Sequence, residues 1–149
     1  MNPKELVEKV IGEILTQLEI EAQVAVDEEE ENIVVTLETP DAGILIGHHG
    51  RNLEALQTVV SQMVFKQLGV WTRVLVSVGD YRQKREAQLK EMAQSAALQV
   101  IETGTPVAFS DMTPSERRIV HMALSEHAEV VSESEGEGRH RKLIVKPRS

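Results

Sequence analysis

Leu6, Val7, Val10, Ile11, Ile14, Leu15 and Leu18 recur at intervals of three and four, the signature of one buried helix face, and predict a helix from Pro3 to about Ile20. Its start is written into Asn2-Pro3-Lys4-Glu5. Asn2 is a capping side chain, proline suits the first helical position, and Glu5 is placed to close a capping box. Ala22 to Val26 and Ile33 to Leu37 are short β-branched runs on either side of the acidic stretch Asp27 to Asn32, which reads as a hairpin with a solvated turn. Asp41 is expected to cap a short helical turn through Ile44 and Leu45 that breaks at Gly47. From Arg51 the apolar positions Leu53, Leu56, Val59, Val60, Met63 and Val64 are helical again to about Leu68, where Gly69 provides a stop. Arg73 to Val78 then reads as a strand.

The second half opens with a long helix predicted over Asp80 to Gly104, with Leu89, Met92, Ala93, Ala96, Val100 and Ile101 on its buried side. Arg82, Lys84 and Arg85 crowd its first two turns, where positive charge opposes the macrodipole. They are either a solvated face or a basic edge set beside the Gly47 turn. Val107 to Phe109 is a short strand, and Thr113-Pro114-Ser115-Glu116 is a second capping box with proline at the first helical position. The helix it starts carries Arg117, Arg118 and His121, and the spacing of four puts Arg117 and His121 on one face. Ala128 to Ser132 and Lys142 to Val145 read as strands joined by the turn Glu133 to Arg139. The expected modules are residues 1–80 and 81–149.

Composition narrows the chemistry. With 149 residues, 41% of them hydrophobic, the chain can build one ordinary core or two small ones. The absence of cysteine removes disulfides, thiolate metal sites and thiol nucleophiles together. No apolar run approaches the roughly 20 residues of a membrane span, and the amino terminus lacks a signal peptide's pattern, so a cytoplasmic protein without stable membrane insertion is expected. The net charge of −8 is unevenly spread: residues 1–40 carry −9, residues 41–80 carry 0 and residues 81–149 carry +1. Arg139, Arg141, Lys142, Lys146 and Arg148 form a basic run with no acid among them. Local field rather than the sum therefore decides which partners are admissible. Phe65, Trp71, Tyr81 and Phe109 are the only aromatic residues, so platforms for stacking bases are expected to be scarce.

Gly47-His48-His49-Gly50 is the stretch that points to chemistry. The two glycines allow backbone angles closed to other residues and let another backbone come close, and the helix that follows starts with unpaired amides at the positive end of its dipole. A phosphate passing Gly50 would meet donors. The order helix, strand, strand, helix, G-x-x-G, helix, strand resembles a type II KH domain (αββααβ, a three-stranded sheet with helices on one face), whose G-x-x-G loop clamps about four nucleotides of single-stranded nucleic acid. The two middle residues are often basic in that family and here are His48 and His49, with Arg51 just beyond to supply fixed charge. Arg117-x-x-x-His121 on a helix, with a helix before it and two strands after it, resembles the small α+β Arg-x-x-x-His domain, another single-strand binder.

The pairing of the two resembles the bacterial Jag (KhpB) family over essentially the whole chain. That resemblance implies an α+β protein that binds single-stranded RNA, or single-stranded DNA, as an RNA chaperone or post-transcriptional regulator tied to envelope growth and division. It also implies a small single-KH partner protein. Nucleic acid would be met by Gly47, His48, His49, Gly50, Arg51, Arg117, Arg118, His121, Arg139, Arg141 and Lys142. Members commonly carry a further amino-terminal domain, which this chain is expected to lack. The competing reading is a protein-interaction adaptor associated with the membrane insertase, docking through the acidic first forty residues. No enzyme is expected: there is no phosphate-binding Walker loop, no G-x-S-x-G elbow and no cysteine nucleophile. No metal or other cofactor is expected either, since no H-x-x-x-H or H-E-x-x-H spacing occurs. Because histidine ordinarily gains its proton near pH 6.5, contact of His48 and His49 with phosphate predicts tighter RNA binding at about pH 6 than at about pH 8. A flat pH profile in a binding titration would remove that contact.

Overall fold

Helix α1 (Pro3–Gln17) begins with the capping box: Asn2 Oδ1 accepts from the Glu5 amide at 2.8 Å, and the Asn2 amide donates to Glu5 Oε2 at 3.3 Å. The computed structural model describes residues 2–149, which fall into two units, one ending at Arg82 and the other starting at Gln83. In the first unit β1 (Gln23–Glu29) and β2 (Asn32–Glu38) form an antiparallel hairpin, and β3 (Arg73–Val78) lies parallel to β2 in the order β1-β2-β3. Parallel neighbours need a crossover. Here it is α2 (Ala42–Ile46), the glycine turn and α3 (Arg51–Leu68). Alternation along the strands turns Val26, Ile33, Val35, Leu37, Val74, Val76 and Val78 toward α1 and α3, whose Val7, Val10, Ile11, Leu53, Val60 and Val64 complete the core. The sheet thus carries its helices on one face.

Several boundaries differ from the sequence expectation. Helix α1 stops at Gln17 rather than near Ile20; Glu19 takes a left-handed φ of 57° and turns the chain so that Ile20 still reaches the core. The acidic stretch is not a long turn. The ladder runs to Glu29 paired with Asn32, so Asp27, Glu28 and Glu29 stand in strand β1 and only Glu30 and Glu31 make the connection. Acids are tolerated there because β1 is an edge strand, exposed at every position except Val26. Asp41 does not cap α2 with its side chain; its own amide donates instead to Thr39 Oγ1 at 3.1 Å.

In the second unit all pairings are antiparallel, in the order β4 (Val107–Phe109), β6 (Lys142–Pro147), β5 (Val130–Glu135). Leu143 and Val145 of β6 and Val130 of β5 are buried with Leu89, Ala93, Ala96, Ala97 and Val100 of α4 (Tyr81–Thr103) and with Val120 and Leu124 of α5 (Pro114–Leu124). Ala97 takes the buried place expected of Ile101, which is 40% exposed: three alanines on one stripe admit close packing that a bulky residue would block. The β5–β6 hairpin is shifted from the expected positions, its turn falling at residues 136–141 rather than 133–139 and Ala128 lying outside the strand.

Helix α5 opens on the second capping box, with Thr113 Oγ1 accepting from the Glu116 amide at 3.2 Å. Glu116 also reaches α4, where its carboxylate pairs with the Arg85 guanidinium; their side chains are 5% and 12% exposed. Arg85 Nη2 is buried without a partner, so the guanidinium depends on this one carboxylate for its neutralisation. Glu116→Ala removes the partner and leaves a buried cation, and is expected to cost the second unit about 3–5 kcal/mol in denaturant unfolding.

Candidate nucleic-acid interface

Helix α2 ends at Gly47, with φ 70° and ψ −173°, an angle pair that suits glycine. Residues His48–Gly50 form a single 3-10 turn in which His49 has φ 54° and Gly50 φ 79°, and α3 starts at once from Arg51 with no side chain capping it. Asn52 closes the turn from within: its Nδ2 donates to the Ile44 carbonyl at 2.8 Å. A Cβ on Gly47 would lie 2.5 Å from Asn52 Cγ, and one on Gly50 would lie 3.0 Å from the Tyr81 ring. The close approach that the glycines permit is therefore used by the chain's own Asn52 and Tyr81, where the sequence pattern leaves it for another backbone. The His48 and His49 rings stack at 3.9 Å between centroids, His48 exposed and His49 half-buried, with Arg51 exposed beside them in sequence.

Two of the three basic residues at the start of α4, Arg82 and Arg85, differ from either alternative, while Lys84 is exposed. Arg82 donates from Nε at 2.9 Å and Nη2 at 2.6 Å to the Val76 carbonyl, and from Nη2 to Gln57 Oε1 at 2.8 Å. Gln57 Oε1 in turn accepts from the Val76 amide at 2.9 Å. Strand β3 has a neighbour on one side only, and these two side chains take the Val76 amide and carbonyl on its other edge. Burial holds the Arg82 pKa below the ordinary arginine value, while Glu54 and Tyr81 pull it back up. Arg82 is thus an edge-holding residue, as Arg85 is a core ion-pair residue. Gln57 carried no sequence signal, because its partner stands 19 residues away.

In the second unit both members of the Arg117-x-x-x-His121 pair are oriented by neighbours. Arg117 Nη1 donates to the Met112 carbonyl at 2.7 Å, and His121 Nδ1 is 2.7 Å from Ser132 Oγ on β5. The His121 residue remains exposed. Arg118, next in sequence, lines a separate groove of about 540 Å³ together with Glu86, Lys90, Ser115 and Met122. The basic run at residues 139–148 is only partly available. Lys146 donates to Glu133 at 2.8 Å, which raises its pKa, Arg148 holds the His127 carbonyl at 2.9 Å, and Arg141 closes its own hairpin on the Gly136 carbonyl at 2.9 Å. Arg139 and Lys142 are exposed and have no ion pair among the described residues.

Comparison with known proteins follows the same division. The sequence pattern of the KhpA/KhpB KH domain matches residues 4–77, and that of the Arg-x-x-x-His domain matches residues 87–147. The RNA-binding protein KhpB of Clostridium symbiosum is 36% identical over 126 residues, 85% of this chain. The chain belongs to the KhpB family. The KhpB proteins of Lactiplantibacillus plantarum and Bacillus subtilis are 33% and 32% identical, over 89% and 83% of this chain. The chain spans 57%, 41% and 61% of the lengths of these three KhpB relatives. Among the described residues no helix is long and apolar enough to cross a membrane.

Two glycines test the local geometry against each other. Gly50→Ala meets a left-handed φ and the Tyr81 ring and is expected to lower the stability of the KH unit by about 1–3 kcal/mol. Gly12, inside α1 with nothing within 4 Å of the place a methyl group would take, is expected to gain about 0.5–1 kcal/mol on substitution by alanine. Thermal or urea unfolding of the two variants reads both signs.

Proposed function

We propose that the chain is a single-stranded RNA-binding protein made of a KH module, residues 1–80, and an Arg-x-x-x-His module, residues 81–149. The observation that carries the reading is the G-x-x-G turn: two glycines and His49 at positive φ deliver the uncapped amino end of α3, a ready anion site, in a domain that matches the KhpA/KhpB KH pattern. The relatives are named as RNA-binding proteins, which supports it. In this reading Gly47 and Gly50 shape the backbone clamp, His48, His49 and Arg51 face the phosphates, and Arg117, Arg118, His121, Arg139, Arg141 and Lys142 form the second contact area. Phosphate contacts give sequence-tolerant affinity and base contacts add preference. The role is binding rather than catalysis. By family resemblance it extends to RNA chaperoning or post-transcriptional control of envelope growth and division, in the cytoplasm and with a small single-KH partner.

One feature favours a second reading, an adaptor that docks proteins, the membrane insertase among them. Register places Asp27, Glu29 and Glu38 on the face of the first sheet away from its helices, an acidic surface ill-suited to RNA. Binding of short single-stranded RNA across a salt series separates the two. The intact chain is expected to bind with log K falling against log salt by about 0.7 per phosphate neutralised. Gly50→Asp and the double variant Arg117→Ala, His121→Ala should each weaken binding at least about tenfold, near 1.4 kcal/mol. Salt-independent or absent binding, or two variants as tight as the intact chain, would leave the adaptor.

A further inference from the structure

Ser132 is a polar residue in an otherwise apolar row. It stands on the inward side of β5 with Val130, and the ladder sets it across from Val145 of β6, which in turn opposes Val107 of β4. Val130 and Val145 are fully buried, and Ser132 itself is 8% exposed. A β-branched apolar residue would fill that place and pack on its neighbours, whereas a hydroxyl taken out of water destabilises the fold unless it is hydrogen-bonded. Among the described residues its one side-chain partner is His121 Nδ1 on α5, at 2.7 Å. Core packing gives no reason for a serine here. The imidazole gives one.

The direction of that bond follows from what each group can give and take. A serine hydroxyl has one proton to donate, and a neutral imidazole has one N–H and one bare nitrogen. If Nδ1 held the ring proton and donated it to Oγ, the buried hydroxyl proton would be left without an acceptor, the costly case of an unmade bond. If the hydroxyl donates to Nδ1, both groups are satisfied and the ring proton is confined to Nε2. Nε2 points away from Nδ1 across the ring of an exposed residue, and no described residue bonds it. Neutral His121 then presents an N–H outward. A phosphate oxygen of RNA, which has lone pairs and no proton, matches that tautomer and not the other. Arg117, one turn earlier on the same face, is likewise held from behind, its Nη1 donating to the Met112 carbonyl at 2.7 Å. Donors fixed before a ligand arrives lose less freedom on binding it.

We infer that Ser132 is a positioning residue for nucleic-acid binding: its buried hydroxyl holds His121 as the Nε2–H tautomer, so that the uncharged ring donates to a phosphate oxygen beside Arg117. This rests on the proposed RNA-binding function and deepens it, adding a residue outside the Arg-x-x-x-His motif and 11 positions beyond His121 in sequence.

The full chain is prepared with 15N-labelled histidine, and ring proton–nitrogen correlations are recorded at about pH 8, above the ordinary histidine range. Protonated and bare ring nitrogens have well-separated shifts, and the His121 ring is assigned as the one lost in His121→Ala. The intact chain is expected to show a single tautomer with the proton on Nε2. Ser132→Ala, an apolar substitution in an apolar row, should release the ring to a mixture of tautomers and weaken binding of short single-stranded RNA about three- to tenfold. Ser132→Thr, which keeps the hydroxyl, should keep the tautomer and most of the affinity. Ser132→Ala combined with His121→Ala should bind as His121→Ala alone does, since the serine acts only through the ring. A proton on Nδ1 in the intact chain, ring shifts unmoved by Ser132→Ala, or effects of the two substitutions that add would each overturn the positioning role while leaving RNA binding in place. No salt-dependent binding by the intact chain would overturn the proposed function, and the phosphate contact with it, whatever the tautomer.

Discussion

Three of the four residues in Gly47-His48-His49-Gly50 hold positive φ, and the rest of the KH unit is arranged around that local reversal. A left-handed angle costs an ordinary residue roughly 1–2 kcal/mol, so His49 stands there only because its surroundings hold it. The hydrogen bond from Asn52 to the Ile44 carbonyl ties the two ends of the turn together, and the Tyr81 ring lies against Gly50. Without the reversal α2 would not pass directly into α3, and the crossover that lets β3 lie parallel to β2 would need another path. The same reversal leaves α3 without a capping side chain, and that is the basis for assigning it an anion.

Net charge is a poor guide to this chain because so many of its cations are structural. Arg82 holds the edge of β3, Arg85 neutralises Glu116, Arg117 binds the Met112 carbonyl, Arg141 closes a hairpin, Lys146 pairs with Glu133 and Arg148 ties the last strand to the chain near His127. A guanidinium bonded to a carbonyl keeps its charge but loses freedom of direction. Long-range attraction from such residues survives, and in the second unit Arg118, Arg139 and Lys142 are exposed.

What could be read from the sequence were the features whose causes are local. Both capping boxes, the prolines beside them and the glycine break concern residues within four positions of one another, and each stands in the structure. The α+β class and the helix faces followed from periodicity for the same reason. Strand ends did not, because a strand stops where its partner's ladder stops: Glu29 is strand because it opposes Asn32, whatever its own preference. Roles that depend on distant partners were also hidden. Gln57 has no helical pattern to betray it, Arg82 and Arg85 looked alike as surface cations, and the meeting of Phe65 with Trp71 depends on how Gly69 turns the chain through its left-handed φ.

If the G-x-x-G turn and the Arg117–His121 face meet RNA, amide chemical shifts report the contact residue by residue. Titrating the isotopically labelled full chain with short single-stranded RNA is predicted to move the amides of Gly47 to Arg51 and those around Arg117, His121 and Ser132, with Asp27 to Glu29 unmoved. Shifts confined to the acidic sheet face around Asp27, Glu29 and Glu38, with the glycine turn unperturbed at saturation, would be incompatible with RNA held at either place.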